Sequence, residues 1–515
     1  VTLSRRRVLG LLAGAGAALR WPPAARAAPG TPLPIAPGPF QPTRLSLETW
    51  TVPDWFRDAK FGIWAHWGPQ SAPEAGDWYA RQMYQQGHEQ YEHHLKTFGH
   101  PSKAGFKDVI PTWKAEAFDP AALMKAYKKA GARYFVTMGV HHDNFDLWDS
   151  RHQRWNAVRM GPKRDIVRAF REAARAEGLR FGISEHLWVT YKWFSIARDH
   201  DDKGPLAGVP YDGGDPGAAD LYQTCPEVHR DLKWDESGIA DSWKRHWFDR
   251  IKDLVDQHRP DLLYSDSWMP FGDVGTALVA HLYNQDARAR GGRVEAVYTS
   301  KGAADCERGT CVYDVERGMV ESIWPRPWSS HTCVGNWHYK RGQRYKSAKI
   351  VVDTLVDVVS RNGNLLLNFP LRSNGTLDDD ERAILDALGA WMAVNGEAIY
   401  GTRPWRTFGE GPSAAPAAGD AKFNEAARKE LTAADVRFTT KGDALYAFVM
   451  GQPGPEVTIA ALAPSGAHGV RRIERVERLG VPGSLRFTQD AKGLTVALPA
   501  RTPSDLAVAL KILGA

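Results

Sequence analysis

Lys60-Phe61-Gly62-Ile63-Trp64-Ala65-His66-Trp67-Gly68-Pro69 is the stretch on which the fold reading turns. Residues 60–65 read as a short apolar strand, and the residues just after a first strand separate two α/β architectures. A doubly wound sheet usually announces itself there with a Gly-rich phosphate loop. His66-Trp67-Gly68-Pro69 resembles no such loop.

Outward from this strand the chain alternates short apolar runs with amphipathic segments. Strands are expected at 133–140, 179–184, 261–265, 294–299, 312–315 and 364–369. Asp119 caps a helix that has Pro120 at its first position and Gly131 just past its end. Further helices are expected over 164–177, 241–258, 276–290, 346–360 and 378–395. Seven or so β/α units in about 350 residues argue for a (β/α)8-like TIM barrel, since each crossover helix returns the chain to start a neighbouring parallel strand.

Beyond Gly401 the pattern changes to alternating runs at 435–438, 444–450, 457–460, 484–488, 494–497 and 506–510, broken by Gly, Pro and Asp. These suggest a C-terminal antiparallel β-sandwich over 401–515, with an Ala/Pro/Gly-rich stretch at 413–421. It contains no His/carboxylate constellation, so its expected role is to cover one side of the barrel, residues 45–400.

The 515 residues include 43% hydrophobic and 24% charged side chains, an ordinary globular composition. The net charge of +6 comes from basic and acidic residues that are well mixed. That gives no electrostatic case for nucleic acid. At the start, Ser4-Arg5-Arg6-Arg7-Val8-Leu9-Gly10, an apolar run from Leu11 to Leu19 and Ala25-Arg26-Ala27 read as a Tat-type signal peptide, residues 1–27. The expected location is periplasmic or extracellular, with no membrane span in the mature protein. Residues 28–44 are Pro-rich and read as an extended tether. Of Cys225, Cys306, Cys311 and Cys333, the closest pair is Cys306 and Cys311; a disulfide is compatible with export, and both the bridged and the free forms stay open.

Barrel enzymes build their sites at the carboxyl ends of the strands. Here those ends carry His66-Trp67, His141-His142-Asp143-Asn144-Phe145, Glu185-His186, Asp266-Ser267-Trp268, Ser300-Lys301 and Glu316-Arg317-Gly318. Six such ends in succession suit glycoside hydrolysis, in which one carboxylate attacks the anomeric carbon and another protonates the leaving oxygen. Asp266 is the natural nucleophile, with Trp268 beside it to pack on an apolar sugar face. His88-Glu89-Gln90-Tyr91-Glu92-His93 fails the H-E-x-x-H spacing of a zinc helix. His141 and His142 have no third metal ligand at a suggestive spacing, so neither metal nor organic cofactor is expected.

At this point a family resemblance is specific. Residues 61–73 followed by Asp77-Trp78-Tyr79, then His141-His142-Asp143-Asn144-Phe145-Asp146-Leu147-Trp148, then Pro260-Asp261-Leu262-Leu263-Tyr264-Ser265-Asp266, then Asn362-Gly363-Asn364-Leu365-Leu366-Leu367-Asn368, resemble in order the motifs of glycoside hydrolase family 29, the α-L-fucosidases. The resemblance covers roughly residues 45–405. It implies a retaining exo-α-L-fucosidase acting on fucosylated glycans through a covalent intermediate on Asp266. His66, His141 and His142 are implied as partners of fucose hydroxyls, and Trp78 and Tyr264 as pocket walls.

Three positions depart from the family pattern. Asp77 stands where Glu is usual, and Lys301 where Arg is frequent, a point charge in place of a fork. Where many members have a Trp-Glu pair, this chain has Trp328-Ser329-Ser330-His331-Thr332-Cys333. Glu316 is therefore the leading acid/base; Glu185 and Glu295 are alternatives, followed by Glu321 and Glu307. Glu185 and His186 join the expected substrate-binding set with Asp77, Trp268 and Lys301. A related exo-glycosidase on a fucose-like sugar, or a fucose-binding protein with a decayed site, are the rival readings.

Of the 20 Trp, Trp21 lies in the export signal and the rest fall between Trp50 and Trp405, all assigned to the barrel. Trp67, Trp78, Trp148, Trp188, Trp268 and Trp337 sit in or next to strand-end motifs, where indoles can stack on a sugar.

Overall fold

Eight parallel strands close into a barrel in simple chain order: β1 (Phe61–Ala65), β2 (Tyr134–Val140), β3 (Arg180–Glu185), β4 (Leu262–Ser265), β5 (Val297–Ser300), β6 (Val312–Glu316), β7 (Trp328–Cys333) and β8 (Gly363–Asn368). Closure is made by β1 against β8, with Phe61 opposite Leu365 and Trp64 opposite Asn368. This is the fold of a computed structural model that describes residues 32–222, 224–414, 421–464, 466–499 and 506–515. The expected export signal lies outside the described residues. Residues 35–515 form one unit.

Helices Pro120–Lys129, Ile166–Ala176, Asp241–His258, Asp273–Ala289, Ala348–Ser360 and Asp379–Asn395 start close to where the sequence places them. Asp119, Asp165 and Ser347 each accept a backbone N–H of the first turn. Each such cap contributes about 1 kcal/mol and sets where the returning helix begins.

β7 is the strand that apolar patterning does not reveal. All six of its residues are buried, yet four are polar. Two of the four have hydrogen-bond partners inside the protein, since Ser330 Oγ donates to Gly318 O at 2.7 Å and Thr332 Oγ1 donates to Glu425 at 2.9 Å, and a third, His331, has its Nδ1 2.7 Å from the Asp314 carboxyl. A buried polar group with a partner costs little, so a barrel strand need not be an apolar run.

Residues 35–44 are held against the barrel wall and do not trail as a tether. Asn284, on the helix Asp273–Ala289, accepts from Phe40 N and donates to the carbonyls of Phe40 and Ala36, at 2.8–2.9 Å. Satisfying these backbone groups fixes a segment that its Pro content alone would leave extended.

After the last helix come β9 (Arg403–Glu410), β10 (Val436–Lys441), β11 (Ala444–Val449), β12 (Glu456–Ile459), β13 (Arg475–Arg478), β14 (Phe487–Asp490), β15 (Gly493–Ala497) and β16 (Val508–Leu513). They form two antiparallel sheets, one ordered β13-β16-β11-β10-β9 and the other β12-β15-β14. Phe438, Leu445, Ile459, Val476, Leu494, Val496 and Leu510 share their core. Trp405, on β9, packs against that core, so one indole belongs to the sandwich after all. The sandwich is joined to the barrel by Asp357, buried on the helix Ala348–Ser360, which pairs with Arg361, Arg428 and Arg437. Burial alone would raise the Asp357 carboxyl, but three guanidinium groups hold it well below the usual carboxylate range.

Candidate active site

The carboxyl ends of the strands enclose a cavity of about 600 Å³, lined by His66, His141, His142, His186, Asp266, Lys301 and Glu316, with Trp walls. The size is that of a small-molecule site.

β4 delivers Asp266 into this cavity, and contacts on all sides restrain it. Its backbone N–H donates to Glu185 O at 3.0 Å, and its carbonyl accepts from Trp188 Nε1 at 3.0 Å. At the carboxylate, Lys301 Nζ lies 2.5 Å from Oδ1 and the Tyr264 hydroxyl donates to the same oxygen at 3.2 Å. Oδ2 faces His186 Nδ1 at 3.3 Å and His142 Nε2 at 3.6 Å. Burial works to raise this carboxyl; Lys301, followed by the facing His186, outweighs it and holds it well below the usual range. Asp266 is therefore an anion at any pH near neutrality, as a nucleophile must be.

Glu316, at the end of β6, meets the same ammonium: Lys301 Nζ is 2.5 Å from its Oε2. Two carboxylates this close would repel and share a proton without a cation between them. Burial disfavours the Lys301 charge, but the two carboxylates more than restore it, and its proton affinity is raised.

His66, His141 and His142 form a neutral hydrogen-bonding wall. Burial, reinforced by mutual repulsion, pushes His66 and His141 well below the ordinary imidazole value, and burial takes His142 to about 3. The hydrogen-bond pattern assigns their protons. Asn368 Nδ2 donates to Trp337 O, so its Oδ1 accepts from His66 Nδ1 at 3.1 Å and leaves His66 Nε2 an acceptor. Gln70 accepts from Ala80 N and donates to His141 Nδ1 at 2.9 Å, which makes His141 Nε2 a donor. Buried His186 Nε2 has no partner among the described residues. Donor, acceptor and open nitrogen on one wall suit a neutral polyol, whose hydroxyls both give and accept protons. Asp77 joins this wall, 2.6 Å from His338 Nδ1 and 3.9 Å from His141 Nε2.

Comparison with known proteins decides which polyol chemistry this is: the α-L-fucosidase family model matches residues 31–397. The chain belongs to the α-L-fucosidase family. Tissue α-L-fucosidase of Rattus norvegicus is 26% identical over 487 residues, covering 92% of both chains. Plasma α-L-fucosidase of Homo sapiens is 29% identical over 384 residues, covering 72% of this chain and 73% of that one. The structure of a Thermotoga maritima α-fucosidase in complex with fucose superposes with a TM-score of 0.69 at 25% identity, covering 92% of this chain and all of the other.

Against this α-L-fucosidase frame, His66, Asp77, Trp78, His141, His142, His186, Asp266, Trp268, Lys301 and Glu316 all line the cavity. Glu185 and Tyr264 do not. Glu185 lies fully buried beneath it, accepting from Ser265 Oγ at 2.6 Å and from Leu187 N and Trp247 Nε1 at 3.0 Å. It is a strut between β3 and β4 and does not line the cavity. Tyr264 is also fully buried and touches Asp266 and His331 from below, so it positions the carboxylate and is no wall. Glu295 sits at the entry to β5, paired with Arg180 at 2.7 Å on the opposite rim of the barrel from the carboxyl ends. Trp67 and Trp148 are core indoles: Trp67 packs on Trp113 and Phe118, and Trp148 Nε1 donates to Asp253.

Several cavity residues carry no strand-end signal of their own. His331 belongs to the unforeseen β7. Trp64 lies within β1, Trp234 in the long loop after β3, and Lys422 and Phe423 in the loop between β9 and β10. The structure also supplies what spacing concealed about metal: nitrogens of His66, His141 and His186 lie within 4.8 Å of one another, as do ligand atoms of Asp77, His141 and His338, and of His142, His186 and Asp266. Cys306 and Cys311, between β5 and β6, form a disulfide; Cys225 and Cys333 are buried free thiols.

Proposed function

We propose that this chain is an exported, retaining exo-α-L-fucosidase that releases terminal α-L-fucose from fucosylated glycans, with Asp266 as nucleophile and Glu316 as acid/base. One observation carries the reading. Oδ1 of Asp266 and Oε2 of Glu316 each lie 2.5 Å from Lys301 Nζ, so these oxygens can be no further apart than twice that distance. Retaining enzymes place their carboxyl groups about 5–5.5 Å apart, whereas inverting ones leave about 6.5–9.5 Å for a water.

In the first step Asp266 attacks the anomeric carbon while Glu316 protonates the departing oxygen, and the C–O bond to the leaving group is replaced by a bond to Asp266. In the second, Glu316 takes a proton from water, whose oxygen displaces the carboxylate and restores the starting configuration. The imidazole wall holds the fucose hydroxyls through both steps.

Export is supported by the twin-Arg start with its Ala25-Arg26-Ala27 site and by a Cys306–Cys311 bridge, which suits an oxidising compartment. An N-terminus at Ala28 on protein recovered outside the cytoplasm tests it.

The catalytic reading is tested on an aryl α-L-fucoside. Asp266→Ala abolishes turnover, and added azide restores it as the β-configured fucosyl azide, because azide enters from the face the carboxylate vacated. Glu316→Ala spares the first step for an activated leaving group, slows the second by about 10²–10⁴, and gives the α-configured azide. Near wild-type turnover in Asp266→Ala overturns the assignment.

A further inference from the structure

The loop between β9 and β10 leaves the sandwich and clamps onto the barrel at Glu316. Phe423 N donates to Glu316 O at 2.9 Å, Glu425 N to Arg317 O at 3.0 Å, and Met319 N to Ala421 O at 3.0 Å. Asn424 adds a donor and an acceptor to Met319, and Glu425 pairs with Lys346 and Arg317. The approach is so close that a Cβ at Gly318 would lie 1.9 Å from Ala421 O. So many bonds in five residues make a rigid strap.

At its centre the strap holds Phe423 in a costly state. Its φ of 55° is left-handed, which disfavours a non-glycine residue by roughly 1–2 kcal/mol. The residue is 63% exposed and lines the cavity together with Trp234, which is 44% exposed, and Trp268. An apolar ring held in a strained backbone and facing water at a site mouth points to a ligand surface.

We propose that Phe423 is the platform for the sugar ring to which fucose is attached, so that the C-terminal domain selects the leaving group. This rests on the fucosidase reading. The acid must reach the oxygen between fucose and its carrier, so the carrier lies on the Glu316 side of the mouth, and Phe423 is bonded to Glu316 itself. A pyranose presents a C–H face of the size of the ring, and such a face stacks on an aromatic plane.

The test compares α-L-fucosyl fluoride, whose leaving atom has nothing to stack, with the best-used member of a panel of α-L-fucosyl disaccharides. Phe423→Ala lowers kcat/KM on the disaccharide relative to the fluoride by about tenfold, the worth of a lost stacking contact, and Phe423→Trp restores the ratio. An unchanged ratio in Phe423→Ala, whether both rates fall together or neither does, overturns the platform while leaving the fucosidase reading intact. Wild-type protein inert on the fluoride overturns both.

Discussion

Lys301 Nζ and Glu316 Oε2 lie 2.5 Å apart and tie the end of β5 to the end of β6, with Asp266 on β4 held by the same ammonium. One cation thus spaces the two carboxyl groups. A lysine can do this because its compact charge reaches both oxygens, where a guanidinium fork would favour one carboxylate bidentately.

Removing that cation has a consequence with a definite sign. Lys301 is the largest influence holding the Asp266 carboxyl down against burial, so Lys301→Met raises its proton affinity. The acid limb of kcat/KM then moves to higher pH, because the opposite charge that favours the carboxylate is gone. A pH–rate profile checks this; a limb that stays in place shows that Lys301 does not set the charge of Asp266.

Glu185→Leu separates strut from site. Glu185 accepts three hydrogen bonds while fully buried, and a leucine in its place leaves the N–H groups of Leu187 and Trp247 without their acceptor. Each buried donor left unsatisfied costs about 1–3 kcal/mol, read as a lower midpoint in urea denaturation. KM for an aryl α-L-fucoside stays the same. A raised KM with unchanged stability would return Glu185 to the sugar-binding set.

His258 reports how burial makes folding acid-sensitive. It is fully buried, both ring nitrogens lack a partner among the described residues, and burial followed by Arg171, Arg168 and Arg175 takes it to about 3. Its unfolded value is about 6.5. The folded form therefore stays neutral while the unfolded chain gains a proton as pH falls below that value, and the stability present above it is lost progressively down to the folded value. His258→Leu lacks this proton uptake. Relative to wild type the variant gains about 2 kcal/mol between pH 7 and pH 5, measured by urea denaturation at both; a pH-independent difference refutes it.

Periodicity, caps and turns were enough to read seven of the eight barrel strands and the main crossover helices, because those signals are local. Strand-end position was enough to nominate Asp266, Lys301 and Glu316, because a parallel barrel sends every such residue to one rim whatever its partners. Three things were settled by folding. β7 hides its burial behind polar residues whose partners, Gly318 O, Glu425 and Asp314, come from elsewhere in the chain. Glu185 and Tyr264 share a strand-end address with true cavity residues, yet the turn of each side chain puts them underneath. Phe423 lies more than a hundred residues beyond Glu316 in sequence and reaches it only because two domains pack together. Contacts of that kind depend on distances that no local pattern records, and they decide which side chains meet in the cavity and what stands beside them.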